Sequence, residues 1–398
     1  MIVLIAGLMF LQCALLFLLW NAGKRLAILA DSERHELAGL PADYLWPKAA
    51  LIVPVAGTHP RMHDALESLL RQDYPDFVPI FVTATEDEPA AALVGEFSEQ
   101  HPALRHVIAG EAALCGQKNH NLLCGIAEAN AAGAACYAFC DSTHLAAPGH
   151  LRSLLFPLAD GRAVFTTGYH MVNPQDDGIV TLGYCMSVLI MRLLQSISAF
   201  IQPWGGSMAV SREAYERLDI SSLWGRTVVD DCALVPFLQR KGIRVHLAAS
   251  ALLTTYAENH RLSVWRSWMA RQLLYPKFCV PLQWGLLGGL LVVMQIPQAY
   301  SLVVVALSLL GINVQPQELI PALVWLFASF LLVDGQRACL ARSVSALRWF
   351  LSFLLACGMF AFVHASTLFT KKIFWHGWAY TVGTGGTVLD KRPAAPRS

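Results

Sequence analysis

The segments ALIVPV at residues 50–55, HDALESLLR at 63–71 and VPIFVT at 78–83 decide the fold. The first and third are short apolar, β-branched runs of the kind that form buried strands. The second has Leu66, Leu69 and Leu70 at helical spacing, so that a helix with one apolar face separates the two strands. A strand, a helix and a second strand in this order predict a parallel βαβ unit.

The same alternation continues to about residue 257. Further strand-like runs lie at 105–108, 136–140, 163–167 and 244–247, and the Ala- and Leu-rich stretch 118–131 is helical in pattern. The sequence therefore predicts an α/β domain at 47–257, built on a mainly parallel, Rossmann-like sheet. In such a sheet the ligand binds beyond the carboxyl ends of the strands.

The composition indicates that part of the chain lies in a membrane. Of the 398 residues, 55% are hydrophobic and 14% are charged, and the mean hydropathy is +0.47, too apolar for an ordinary soluble protein. A net charge of +1 gives no electrostatic reason to expect a nucleic-acid partner, and no obligate protein partner is evident. The ten cysteines include no CxxC pair, which predicts reduced thiols and no zinc site.

The chain begins with an apolar segment that predicts an N-terminal transmembrane anchor at 1–23. Ile2 to Trp20 is apolar except for Gln12, about the length that spans a hydrocarbon core, and Lys24 and Arg25 follow. A cleaved signal peptide would carry its positive charge before the apolar run. We therefore expect a retained anchor, with the catalytic domain in the cytoplasm.

Residues 258–279 predict a helix lying in the membrane interface, because aromatic and basic side chains are mixed there and an apolar stretch follows directly. The side chains that carry this pattern are Trp265, Arg266, Trp268, Arg271, Tyr275 and Lys277. The less charged stretch 184–200 is open to two interpretations, a second interfacial helix or a buried core helix.

The apolar runs within 280–370 predict C-terminal transmembrane helices and hence a multi-pass protein. The run 281–310 is either one tilted helix or a hairpin broken at Pro297, and the two alternatives put the C-terminus on opposite sides of the membrane. Basic residues are more numerous in the tail 371–398 than in the loop at 337–348. This favours a cytoplasmic tail and hence the hairpin, with residues 391–398 disordered.

Four acidic sites follow strand-like runs, at residues 86–88, at Asp141, at 176–177 and at 230–231. A nucleotide-sugar enzyme needs such groups, since hard oxygen ligands hold the cation that neutralises a diphosphate and a carboxylate takes the acceptor's proton. Taken singly, acidic residues at strand ends are more often turn formers or helix caps, and Asp-Asp-Gly at 176–178 is a plain turn. Asp230 and Asp231 differ, because adjacent carboxylates between apolar flanks repel each other unless they serve a cation or a hydroxyl.

Several motifs in register resemble the ceramide glucosyltransferases, an inverting family with a GT-A fold. The opening match consists of PVAGTHP at 54–60, LESL at 66–69 and DYP at 73–75. The later matches, in the same order as in the family, are EDEPA at 86–90, Lys-x-x-Asn-Leu at 118–122, CDS at 140–142, GGSM at 205–208, Asp230-Asp231, and WHG at 375–377 followed by Tyr380 and Gly385-Gly386. The resemblance spans nearly the whole chain.

This resemblance implies an enzyme that transfers a hexose such as glucose from a UDP-sugar to the hydroxyl of a membrane lipid, ceramide or a related sphingolipid. It implies Mg²⁺ or Mn²⁺ as cofactor. The resemblance implies that the catalytic residues are Asp231, as the base, and Arg271. It places Pro54, Asp87, Lys118 and Asp141 on the donor side, where Asp141 also binds the metal. The residues implied on the acceptor side are Gly205, Gly206 and Trp268. Two other interpretations remain open: Lys118 is a solvated lysine at the start of a helix, and Gly205 and Gly206 only form a turn.

Two departures from the family pattern affect donor and acceptor identity more than reaction class. The second acidic motif reads Asp-Ser-Thr at 141–143 and lacks a second carboxylate. The (Gln/Arg)-x-x-Arg-Trp element appears as Trp-Met-Ala-Arg-Gln at 268–272, so that Arg271 is kept and the tryptophan lies at position 268. Trp265 and Trp268 are alternatively simple interface anchors.

Two other functions compete with lipid glycosylation. A processive polysaccharide synthase shares the acidic motifs, but the short helical region and the altered element at 268–272 argue against it. A transporter subunit or a non-catalytic scaffold is the third alternative. The membrane part has few charges, which a transporter needs, and a scaffold has no reason to keep Asp87, Asp141, Asp231 and Arg271 together.

Overall fold

The computed structural model describes residues 2–375 and 377–394 and contains a central seven-stranded sheet. Its strands are β1 Ala49–Pro54, β2 Phe77–Thr83, β3 Arg105–Ile108, β4 Cys136–Cys140, β5 Phe165–Pro174, β6 Ser207–Ser211 and β7 His246–Ala257. They are ordered β3-β2-β1-β4-β6-β5-β7. β1 is parallel to β2 and β4, β2 to β3 and β5 to β7, whereas β6 is antiparallel to both neighbours. The predicted mainly parallel α/β sheet is confirmed.

Helices cover both faces of the sheet, precede it and follow it. They are α1 Ile2–Ala38, α2 Met62–Leu70, α3 Pro89–Gln100, α4 Gln117–Ala131, α5 His150–Ala159, α6 Ile179–Leu194, α7 Arg212–Leu218, α8 Ile220–Trp224, α9 Leu234–Arg240, α10 Leu262–Cys279, α11 Pro281–Leu309, α12 Pro316–Gly335 and α13 Ala346–Thr367.

The alternation of side chains along β1 explains the two layers. Ile52 points into the core shared with α4, and Val53 points into the core shared with α2. On the α4 side a Cβ at Gly125 would lie 2.5 Å from Ile52 Cγ2, so this helix packs closely because the position is a glycine. Both faces of the strand are therefore buried, which is why its sequence is a continuous apolar run rather than an alternating one.

The sheet is longer on one side than the sequence predicts. β5 continues to Pro174 rather than ending at 167, β7 continues to Ala257 rather than ending at 247, and β6 was not predicted. Gly168 interrupts the strand pattern of β5, yet it is the residue that lets β7 approach, since a Cβ there would lie 2.3 Å from the carbonyl oxygen of Ala251.

The stretch 184–200 is largely the buried core helix of its two alternatives. α6 packs in one apolar core with α13 and with Trp265 of α10. Trp265 itself is fully buried, and a Cβ at Gly183 of α6 would lie 2.6 Å from its ring. The interpretation of Trp265 as an interface anchor is therefore wrong.

Four helices are long and apolar enough to cross a membrane, namely α1, α11, α12 with its short extension to Cys339, and α13, counting only the described residues. α11 runs unbroken through Pro297, so the hairpin predicted at that residue is wrong. The glutamines beside the proline made the segment look like a loop. In the structure, the amide N–H groups of Gln295 and Gln298 donate to the carbonyls of Cys357 and Leu354 on α13, inside the helix bundle.

The C-terminal segment forms a small antiparallel sheet, with β8 Lys372–Trp375, β9 Trp378–Val382 and β10 Val388–Pro393. The disorder predicted from residue 391 onward is wrong for 391–393, while 395–398 and His376 lie outside the described residues. This sheet rests on the catalytic domain: Val228 N–H donates to the carbonyl of Gly386 at 2.9 Å, and Lys391 Nζ donates to that of Ala112 at 2.7 Å.

Candidate active site

Three acidic side chains and one lysine meet at the carboxyl end of β4. Lys118, in the first turn of α4, has its Nζ 2.7 Å from Asp141 Oδ1 and 3.0 Å from Asp230 Oδ2, and it donates to the carbonyl of Gly205 at 3.1 Å. Its side chain is only 14% exposed, so the alternative of a solvated lysine is wrong. Burial acts to lower the pKa of Lys118, but Asp141, Asp230 and Asp231 outweigh it and raise that pKa, which keeps the ammonium charged.

The turn before β6 brings backbone against these charges. Asp141 N–H donates to the carbonyl of Gly206 at 3.2 Å. A Cβ at Gly205 would lie 2.2 Å from Asp230 Oδ2 and 2.8 Å from Lys118 Nζ, and one at Gly206 would lie 2.2 Å from the Trp204 ring. The glycines are therefore required for close approach, beyond forming a turn.

Asp231 has the environment of a general base. Its Oδ2 accepts the Gly205 N–H at 2.9 Å and its Oδ1 accepts the Cys232 N–H at 2.5 Å. Burial and then the charge of Asp230 raise the pKa of Asp231 to about 6, against the lowering effect of Lys118 and of the two N–H donors. A carboxylate with such a pKa is ionised at neutral pH and is a better proton acceptor than an ordinary aspartate.

Asp230 has a different role from its neighbour. It is 2% exposed, and its carboxylate faces Lys118 Nζ. Buried contacts fix the backbone at Asp230 and before it, because Trp224 Nε1 donates to the Asp230 carbonyl at 2.9 Å and Asn119 Nδ2 donates to that of Thr227 at 2.9 Å. Asp230 is thus the buried counter-charge that fixes the lysine, which the sequence did not predict.

Arg271 and Trp268 both lie on α10. In the described part of the chain no carboxylate lies within ion-pair distance of Arg271. Burial raises the pKa of Tyr275 on the same helix, and this tyrosine packs in one apolar cluster with Val229 and Cys232, which flank the acidic pair. Trp268 is half-buried, with its ring edge against Tyr184 at 5.0 Å between centroids.

The remaining donor-side residues lie at the ends of β1 and β2. Pro54 is the last residue of β1, and Asp87 is exposed in the loop between β2 and α3. The neighbouring Glu88 accepts the Gly57 N–H at 2.6 Å and so ties the two loops together. Asp87 and Pro54 therefore lie at the carboxyl edge of the sheet, and in the described part of the chain no hydrogen bond or ion pair joins either of them to Lys118 or to the Asp141 side chain.

A cluster of aromatic and histidine side chains beside Trp204 is absent from the sequence-based site. The His170 ring is stacked on Trp204 at 4.6 Å, and Tyr169 and His144 pack on the same indole at 5.0 and 5.3 Å. The Thr255 hydroxyl lies 2.6 Å from His144 Nδ1 and 2.9 Å from His170 Nδ1. Burial lowers the pKa of His144 to about 4 and that of His170 well below the usual value, so both are neutral at pH 7.

The side chains around Asp141 can hold a divalent cation only if that cation takes most of its ligands from outside the protein. Among the described residues, no group of three His, Cys, Asp or Glu side chains is arranged to hold a metal ion. Asp141 keeps 32% of its side chain exposed, and its Oδ2 lies 3.9 Å from His144 Nε2. A single accessible carboxylate suits Mg²⁺ or Mn²⁺ that takes its other ligands from phosphate oxygens and water, and the residues fit an ion of that kind.

Comparison with known proteins identifies the family. No curated protein sequence matches the chain. Among solved structures, the mannosyltransferase PcManGT from Pyrobaculum calidifontis, in complex with GDP-Man and Mn²⁺, is similar at 15% sequence identity, with a TM-score of 0.47 over 91% of this chain and 98% of that chain. The model of glycosyl transferase family 21, the ceramide glucosyltransferase family, matches residues 13–388. The chain therefore belongs to glycosyl transferase family 21 and is a nucleotide-sugar glycosyltransferase.

Proposed function

We propose that the protein transfers a hexose from a UDP-sugar to the hydroxyl of a membrane lipid, ceramide or a related sphingolipid, with inversion at the anomeric carbon. The observation that carries the proposal is the pair formed by Asp231 and Lys118 on the two sides of Gly205. One is a carboxylate with a pKa of about 6, and the other is a buried ammonium that stays charged. Together they supply a proton acceptor and a site for negative charge.

In the proposed reaction, the acceptor oxygen attacks the anomeric carbon while the bond from that carbon to the UDP oxygen breaks. The proton of the acceptor hydroxyl passes to Asp231. The N–H groups of Gly205 and Cys232 hold this carboxylate in place, so little motion is needed when the proton arrives. A single displacement from the face opposite the leaving group inverts the anomeric configuration.

The departing diphosphate is met by cationic side chains. Lys118 is held by Asp141 and Asp230 beside the sheet end, and Arg271 has no carboxylate partner among the described residues, which leaves its guanidinium free to bind phosphate. Mg²⁺ or Mn²⁺ held by Asp141 would add charge neutralisation when bound. Pro54 and Asp87 are proposed to contact the nucleotide beyond these phosphates.

The acceptor is proposed to be a lipid because the site adjoins the helices that meet the membrane. α10, which carries Arg271 and Trp268, packs through Leu274 against Val229 of the acidic loop. The same helix exposes Leu262 and Val264. Gly205 and Gly206 are proposed to lie on the acceptor side, where the Gly205 N–H contacts the base Asp231. The aromatic rings beside them, Trp204 and Tyr169, suit the apolar part of an acceptor or the face of a sugar.

The catalytic domain is proposed to lie in the cytoplasm. It packs on the half of α1 that follows Lys24 and Arg25, where Glu33 accepts the Ser250 N–H at 2.7 Å, and basic flanks mark the cytoplasmic side. The start of α13 lies against the domain through Arg348 and the Asp177 carbonyl. Its end is held by Lys277, which donates to the Thr367 carbonyl at 2.6 Å.

Both ends of α13 therefore stay on the side of the catalytic domain. We infer that α1, α11 and α12 cross the bilayer and that α13 does not. This topology gives a cytoplasmic tail with α11 as a single helix.

The test is transfer by the purified full-length protein from a panel of labelled UDP-sugars to ceramide, diacylglycerol and sterol-like acceptors in mixed micelles. We expect one hexosyl lipid, with the anomeric configuration opposite to that of the donor in its NMR spectrum. A retained configuration would overturn the single displacement. A labelled polymer in place of a glycolipid would instead support a processive synthase.

A further inference from the structure

A cavity of about 420 Å³ lies away from the active site, between the second half of α1, the end of α6, β7 and residues 335–341. Its volume falls within the range of small-molecule and lipid pockets, roughly 300–1,000 Å³. Most of its wall is apolar, with Leu26, Ala30, Leu193, Leu252 and Ala338 among the lining residues.

The cavity also contains cations that lack a counter-charge. Lys24, Arg34 and Arg192 line it, and Arg34 is paired with Asp31 at 2.5 Å. Within residues 2–375 and 377–394, no carboxylate lies within ion-pair distance of Lys24 or Arg192. The Lys24 ammonium is 3.7 Å from the centre of the Trp20 ring.

Arg192 is the more informative of the two. Its side chain is half-buried, and a charge removed from water is costly unless a counter-charge meets it. The nearby titratable groups are the Cys339 thiol and the Tyr169 hydroxyl, which are neutral at pH 7. The acidic Glu33 nearby is already used by the N–H groups of Ala249 and Ser250. An anion from outside the chain would supply the missing charge.

The position of the cavity indicates where that anion comes from. The apolar run of α1 ends at Trp20, which lines the cavity, and the basic residues follow immediately. This is the level of the lipid headgroups, where an apolar wall and a cation together match an amphiphile. A free phosphate ion would gain nothing from the apolar wall.

A molecule in this cavity would not be in a position to accept sugar. A second, smaller cavity continues from Arg192 to Tyr169, and the Tyr169 ring packs on Trp204 at 5.0 Å between centroids. Trp204 precedes Gly205, whose N–H binds Asp231. The pair of rings therefore separates the cavity from the catalytic base.

We propose that this cavity binds the phosphate headgroup and upper acyl chains of an anionic bilayer lipid, with Arg192 as its principal contact. The proposal does not depend on the sugar or acceptor, because it concerns a lipid that is bound and not consumed. Arg192 pairs with the phosphate, Lys24 closes the headgroup side from α1, and the small side chains of α1 and of residues 338–341 accept the acyl chains.

The test is native mass spectrometry of the full-length protein released from nanodiscs of phosphatidylcholine mixed with phosphatidylglycerol. We expect the wild type to retain phosphatidylglycerol. Arg192→Gln should lower its occupancy by about tenfold or more, since a charge-assisted phosphate contact is lost, while Arg192→Lys should keep part of it. The matched control is Arg266→Gln, which removes an exposed arginine of α10 and should retain the lipid as the wild type does.

Three results would overturn the proposal. The first is equal retention of phosphatidylglycerol by the Arg192→Gln and wild-type proteins. The second is preferential retention of phosphatidylcholine by the wild type. The third is release of the lipid by added inorganic phosphate, which would make the cavity a site for the free anion. Thermal melting of each variant shows whether it is folded, and if Arg192→Gln is unstable the Lys24→Gln variant supplies the same comparison.

Discussion

Replacing Asp231 with asparagine is the sharpest test of the catalytic base, and the structure sets what it should do. The asparagine side chain has the same shape and cannot accept a proton at neutral pH. It keeps one oxygen acceptor, whereas Asp231 uses two oxygens to bind the N–H groups of Gly205 and Cys232. Donor binding must therefore be measured beside turnover, so that loss of the base is separated from disturbance of the glycine turn.

The expected magnitude has two parts. Loss of a general base lowers kcat by about 10²- to 10⁴-fold. In the wild type, the pKa of Asp231 is raised to about 6, so the active carboxylate form is lost as the pH falls through that value. One unit below the pKa only about a tenth of the sites are ionised, and near pH 5 wild-type turnover should be about a tenth of its plateau.

The assay is the pH profile of kcat for sugar transfer, from about pH 5 to 8, with donor affinity measured by nucleotide-sugar binding. We expect the wild type to show an acidic limb near pH 6 and the Asp231→Asn protein to be uniformly slow without that limb. The control is Asp219→Asn, at an exposed junction between α7 and α8 whose backbone suits asparagine. An unchanged kcat, or an acidic limb that persists in the Asp231→Asn protein, would refute the assignment.

Three further predictions follow from the same contacts. Lys118→Met should weaken UDP-sugar binding by about tenfold or more, as titration calorimetry would detect, and normal affinity would contradict a phosphate role. Gly205→Ala should reduce turnover by about tenfold or more, because its Cβ would lie 2.2 Å from Asp230 Oδ2. The control Gly149→Ala has open space around its Cβ and should leave turnover unchanged. Equal activities of the two variants would contradict the close approach at Gly205. EDTA should stop transfer and added Mg²⁺ or Mn²⁺ should restore it, and full activity in excess chelator would remove the metal from the proposal.

The parts of the site that the sequence predicted are those marked by chemistry that is unusual for their surroundings. Two adjacent carboxylates between apolar residues at 230–231, and a lysine at the start of an apolar helix, stand out because burial makes them costly. Family motifs then distinguished Asp231 from Asp230. The contact between Lys118 and Asp230 was not predictable, because it depends on how the loop at 224–231 folds against α4.

Other features left no local signal. Tyr169 and His170 lie in the half of β5 that follows Gly168, where the strand pattern is broken, so the cluster around Trp204 was missed. Pro297 with Gln295 and Gln298 beside it has the composition of a turn, because the carbonyls that accept from the two glutamines belong to α13, more than fifty residues later in the chain. Trp265 has the composition of an interface anchor and is buried only because Gly183 lets its ring approach α6.

The small C-terminal sheet has a consequence for the order in which the enzyme becomes active. Thr387 pairs with Thr227 and the Gly386 carbonyl accepts the Val228 N–H, three residues before Asp231. These contacts form only after the ribosome has made everything up to residue 393 and the membrane helices have been inserted. We expect a nascent chain, or one cut after residue 371, to contain every catalytic side chain. In such a chain the loop at 224–231, which leads to Asp231, would lack its contacts with the C-terminal sheet. Such a product should sit in the membrane without transferring sugar, and it should gain activity only when the segment that contains Gly386 and Thr387 is present.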